Sequence, residues 1–191
     1  MFPALLLMIT TLGAPTFVEG RMVQMYGRGF SFQVAEPSGW TLDTRAAPQI
    51  ANFIFHRQGE DWRHADAFIL ARFVGRQKGA TLQSFIEDNL DKFVMACPAG
   101  KETKSRPEGL AKVDPFSVQT YDCPGVRREI VATGDFNRYF VVFVLSSERA
   151  SAAEAALPAL QEILTSFQWF EYPRALSRPR EDSEPGDAAP R

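Results

Sequence analysis

The chain has 191 residues, 45% hydrophobic and 23% charged, with a formal net charge of -2. Near-neutral charge argues against the basic face that nucleic-acid binding requires, and against an anionic membrane surface as the main target. The length suits one domain plus extensions, and sixteen Phe residues promise an aromatic core that needs no metal to fold.

Residues 1–20 stand apart from the rest. Met1 to Ile9 is apolar, Thr10 to Gly13 is small and neutral, and Glu19 is the only charge. This reads as a secretory signal with cleavage after Gly20, although no Lys or Arg precedes the apolar run. The run is too short to span a bilayer. The expected location is therefore periplasmic or secreted. The alternative is an apolar N-terminal strand of a cytosolic protein.

Residues 21–28 read as a linker. Phe30, Phe32 and Val34 then alternate with Ser31 and Gln33, the pattern of a half-buried strand. Pro37, Ser38 and Gly39 make a turn, and Trp40 to Asp43 is a short extended piece. Ile50 to His56 and Ala67 to Val74 are two strands joined by the polar stretch Gln58 to Asp66.

A helix follows from Leu82 to Ala96. Thr81 caps it, and Leu82, Phe85, Ile86, Leu90, Phe93 and Val94 form its apolar stripe. Ala99 to Asp114 reads as a charged loop. Strands come next over Phe116–Cys123, Val126–Thr133 and Arg138–Ser146, with Gly134 and Asp135 assigned to a turn. The last strand is apolar on both faces and so belongs at the centre of a sheet covered on both sides. A second helix begins near Ser151, where Ser151 and Glu154 match a capping box. Pro158 must bend that helix or start its main part. Residues 173–191, rich in Pro and charge, read as a disordered tail.

The two cysteines, Cys97 and Cys123, are each followed by Pro. In an exported protein two cysteines usually pair. The bond would close a loop of about 27 residues and contribute roughly 3 kcal/mol. Unrelated thiols are the alternative if export fails. A metal site is the poorest choice, because two ligands do not fill one.

The opening Phe30-Ser31-Phe32-Gln33-Val34, the turn Pro37-Ser38-Gly39-Trp40 and the final helix running into Ser166-Phe167 resemble the PsbP-like superfamily. That group includes the extrinsic photosystem protein, a yeast Ran-binding protein and bacterial envelope proteins of the DcrB type. The resemblance covers about residues 29–170. It implies an α+β fold, an antiparallel sheet packed by two main helices in an α/β/α sandwich, with the domain at 29–172. It also implies a binding or accessory module, and it carries over no catalytic residue.

Few residues suggest chemistry of their own. His56, Glu60, Asp61, His64 and Asp66 gather in one connection, and imidazole with carboxylate suits zinc, nickel or copper. The spacing matches no metal signature, so a solvated turn is the stronger reading and no metal or cofactor is assigned. Trp62 in the same stretch either anchors a partner or folds over the sheet edge. Arg127, Arg128 and Arg138 could form a basic patch, which Glu129 and Asp135 are placed to neutralise. Gly-x-Ser-x-Gly and a Gly-rich phosphate loop are both absent.

The resulting expectation is a non-catalytic binding or accessory protein of the bacterial cell envelope, docking to a protein partner. The alternatives are a small-ligand carrier with an apolar pocket between sheet and helix, and a metal-dependent enzyme using the loop from His56 to His64.

Overall fold

The structure is a computed structural model and describes residues 21–27, 29–44, 52–103 and 106–172. The expected signal segment and tail lie outside the described residues. Ten strands and two helices are present among those described. In chain order they are β1 (Met22–Gly27), β2 (Phe30–Ala35), β3 (Trp40–Asp43), β4 (Phe53–Arg57), β5 (Ala67–Gly75) and α1 (Leu82–Ala96). Then come β6 (Lys101–Thr103), β7 (Phe116–Cys123), β8 (Arg127–Phe136), β9 (Tyr139–Ser147), α2 (Ala150–Ser166) and β10 (Gln168–Glu171).

Seven strands form one antiparallel sheet in the order β3-β4-β5-β9-β8-β7-β6. β9 is its middle strand, as a run apolar on both faces requires. Val141, Phe143 and Leu145 enter the main core on one side. Phe140, Val142 and Val144 face α1 on the other. α2 packs on β9, β5 and β8 and also touches β2. It shares that side with a three-stranded antiparallel sheet, β1-β2-β10. The result is the α+β sandwich expected from the sequence, with α1 on one face and α2 plus the small sheet on the other.

The main core is aromatic. Phe32 lies between Phe53, Phe73 and Phe167, at centroid distances of 5.6, 4.6 and 5.7 Å. Trp169 of β10 stacks on Phe30 of β2 at 4.4 Å, and the pair clamps the small sheet onto the large one by meeting Phe136 of β8 at 5.2 Å and Tyr139 of β9 at 4.6 Å. Trp40 is buried, with the Arg57 guanidinium over its ring. The turn before it closes through a Trp40 N–H to Pro37 carbonyl bond of 2.9 Å. Gly39 there has φ +74°, a conformation that only glycine adopts without strain.

Several sequence expectations are corrected. Residues 22–27 are not a linker but strand β1, paired along its length with β2. Gly134 and Asp135 are not a turn, because β8 runs on to Phe136 and the chain reverses at Asn137 and Arg138. Gly134 serves packing instead, since a Cβ there would meet the Phe136 and Phe116 rings at 2.5 and 2.9 Å. The loop after α1 contains the short strand β6. The Ser151–Glu154 capping box does not form, because α2 starts at Ala150 with Arg149 as its cap. Ser147 organises that entry. Its Oγ accepts from the Arg149 N–H at 3.1 Å and donates to the Asp66 carbonyl at 2.6 Å. Pro158 lies inside α2, exposed, and has no N–H to offer the Glu154 carbonyl. Among the described residues no helix is long and apolar enough to cross a membrane.

Candidate functional site

Cys97 and Cys123 form a disulfide with Cα atoms 6.0 Å apart, and both are buried. Cys97 is the C-cap of α1 and Cys123 ends β7, so the bond pins one end of the helix to the sheet. Phe93 stacks on Tyr121 beside it at 5.1 Å, and Phe85 stacks on Phe140 at 4.5 Å near the other end of the helix. α1 therefore lies over β7, β8 and β9 and leaves β5 beside it uncovered.

A groove of about 330 Å³ runs between α1 and the sheet. Leu70, Val74, Val142 and Val144 are among its apolar residues, and Arg72, Lys92, Tyr121, Arg127 and Glu129 are among its polar ones. The Tyr121 hydroxyl is buried without a hydrogen-bond partner. Burial, then the nearby Glu102 and Glu129 carboxylates, push the Tyr121 phenol up to about 12. Arg127 Nε lies 3.1 Å from Glu129 Oε1, yet it is not aligned for a hydrogen bond. Burial also raises the Glu129 carboxyl above its usual range, and Arg127 pulls it partly back.

A raised carboxyl means that the folded chain holds the Glu129 proton more tightly than the unfolded chain. Stability from this group is full below the unfolded value and is lost as pH rises through the folded one. Glu129→Gln should remove that dependence. In urea melts, wild type should gain on the variant as pH falls from neutral toward about 4.5. A gain in the opposite direction would contradict the burial of this carboxylate.

A second surface lies on the small sheet. β2 turns Phe30, Phe32 and Val34 into the core and Ser31, Gln33 and Ala35 outward. The outward rows are Tyr26–Ser31–Phe170, Gln24–Gln33–Gln168 and Met22–Ala35. No residue in these rows is charged. Tyr26 is 73% exposed, Met22 45%, Phe170 39% and Tyr172 37%, so the face is open to partners. Tyr172 is fixed over buried Ser31 through a hydroxyl-to-hydroxyl bond of 2.5 Å. β1 and β10 are both edge strands of this sheet.

The residues suspected from sequence are not brought together. His56 is buried in β4, its Nδ1 3.0 Å from the Arg57 carbonyl. His64 is exposed on the turn, where its nearest carboxylate is Asp61 at 3.7 Å. Among the described residues no group of three or more His, Cys, Asp or Glu is placed to hold a metal ion. Trp62 is half-buried, edge-on to Phe68 at 5.9 Å with the Arg63 guanidinium over its ring. The three arginines are dispersed. Arg127 pairs with Glu129, Arg128 bridges Asp122 and Glu154, and Arg138 donates to the Gly29 carbonyl at 3.4 Å. The outward face is not reached by the sequence reading, which makes residues 21–28 a linker and gives residues 168–171 no element of their own. The alternation of Met22, Gln24 and Tyr26 was the available signal.

No family model matches the chain, and no curated protein matches it in sequence. Solved structures do. A mutant of the protein Mog1 matches with a TM-score of 0.50 at 13% identity, over 83% of this chain and 99% of that one. The Saccharomyces cerevisiae Ran-binding protein Mog1p matches with a TM-score of 0.49 at 12% identity, over 78% and 94%. Cyanobacterial PsbP (CyanoP) from Synechocystis sp. PCC 6803 matches with a TM-score of 0.48 at 14% identity, over 82% and 98%. At these identities the likeness is one of fold.

Proposed function

We propose that this chain, which has the PsbP-like fold, is a non-catalytic binding or accessory protein of the bacterial cell envelope that docks to a protein partner. The observation that carries this reading is the uncharged outward face of the small sheet. Interface centres are depleted in charge and enriched in Tyr, Phe and Met. Here Tyr26, Phe170, Tyr172 and Met22 surround a row of three glutamines, on a chain in which 23% of residues are charged. The open edges of β1 and β10 offer backbone hydrogen bonds to an added strand, a common mode of peptide capture. Envelope placement is supported by the buried Cys97–Cys123 disulfide, a bond that persists in oxidising compartments, and by the signal-like residues 1–20.

The test replaces Tyr26 and Phe170 with lysine. Both side chains are exposed, so the melting temperature should stay within a few degrees of wild type. A protein that copurifies in fixed ratio from the envelope fraction should be lost in the double variant, because two lysines cannot be desolvated in an apolar contact. Unchanged copurification would sink this assignment of the face.

A further inference from the structure

We infer that the groove between α1 and the large sheet is a binding site for a small amphipathic carboxylate, with its head at Tyr121, Arg127 and Lys92 and its apolar body along Leu70, Val142 and Val144. A sheet face normally covers its apolar residues. β9 is central, yet its Val144 is only partly buried, as are Leu70 and Val74 of β5 beside it. α1 could cover them only by lying further toward β5, and the disulfide at Cys97 holds its C-terminal end toward β7 instead. The apolar floor is thus left open by construction, and about 330 Å³ is in the range that small ligands fill.

The head group follows from the polar atoms at one end. Tyr121 is 2% exposed and its hydroxyl has no partner. A buried hydroxyl left unpaired is costly, and native structures rarely tolerate one without a reason. Burial, and then the nearby Glu102 and Glu129 carboxylates, hold this phenol as O–H, a donor seeking an acceptor. The lining carries three cations, Arg72, Lys92 and Arg127, against the single carboxylate of Glu129. Arg127 is shared with Glu129, and Lys92 reaches Asp88 on its own helix at 2.5 Å. Arg72 has no ion-pair partner among the described residues. An acceptor that is also an anion satisfies the hydroxyl beside Arg127 and Lys92, in a groove whose positive charge is reinforced by Arg72 opposite Val142, which a cationic or purely apolar ligand cannot do. The site is on the opposite side of the large sheet from the small sheet, so its occupancy is separable from the docking face.

Dodecanoate is the probe. Titrated calorimetrically into the full chain with its disulfide intact, it should bind saturably at one site, and dodecyltrimethylammonium should not. Tyr121→Phe removes an unpartnered hydroxyl and keeps the ring stacked on Phe93, so the fold should be retained, while dodecanoate affinity falls about tenfold or more. Leu70→Trp fills the floor and should abolish binding, with near-ultraviolet circular dichroism reporting that the core is intact. Absence of saturable dodecanoate binding to the folded chain overturns the inference. So does equal affinity in Tyr121→Phe, or equal binding of the quaternary ammonium.

Discussion

Truncating Phe143 to alanine should lower the unfolding free energy by about 3–5 kcal/mol, the largest effect of any single change considered. Phe143 is fully buried on the middle strand of the sheet. Its ring meets Phe53 of β4 at 6.4 Å, Phe116 of β7 at 5.8 Å and Phe167 at the end of α2 at 5.6 Å. Alanine would open a cavity among three rings belonging to separate elements, and stiff aromatic neighbours in strands cannot all close in on it. Urea denaturation monitored by circular dichroism checks this. A loss below about 1 kcal/mol would mean that the aromatic cluster does not hold the two layers together.

Removing the disulfide is the second large effect. Replacing Cys97 and Cys123 together by alanine should cost about 3 kcal/mol, since the unfolded chain is freed of a closed loop of intermediate length. The cost should fall unevenly across the molecule. The side of the sheet facing α1 has a small buried cluster around Phe93, Tyr121, Val131 and Val142, against the much larger cluster on the side of α2. Amide hydrogen exchange should therefore quicken in α1 far more than in β9. Equal denaturation midpoints for the oxidised protein and the double variant would remove the bond from the list of what holds this fold.

The elements behind both effects are legible in the sequence, and the elements that are not legible differ from them physically. The 15-residue helix Leu82–Ala96 announces itself through a 3.6-residue apolar stripe behind a Thr81 cap; the cap forms, and the stripe is buried at Ile86 and Phe93 and half-buried at Leu82, Phe85 and Leu90, whereas Val94, at its edge, is exposed. β9 announces its central place by being apolar on both faces. The pairing of Cys97 with Cys123 follows from the count of two cysteines together with the expected export. Element ends were harder. β1 pairs its whole length with β2 but is mostly exposed, so its hydrophobic alternation is weak. β10 is a four-residue strand that follows α2 after a single residue, too short for a periodic signal. The entry to α2 differs from the sequence expectation because Ser147, four residues before Ser151, fixes the backbone at Arg149 and the helix starts at Ala150 with no side-chain cap bond. The groove could not be read from sequence at all. It depends on how far across the sheet α1 is carried, which the register of seven strands and one disulfide determine together.

The uncharged face of the small sheet is the proposed meeting point with a protein partner. The most direct measurement is photocrosslinking in intact cells from a benzophenone side chain placed, in separate variants, at Tyr26, at Phe170 and at Asp91 on the exposed side of α1. One discrete heavier adduct, of the same mass, is expected from positions 26 and 170 and none from position 91. Adducts from all three positions alike, or from none, would contradict it.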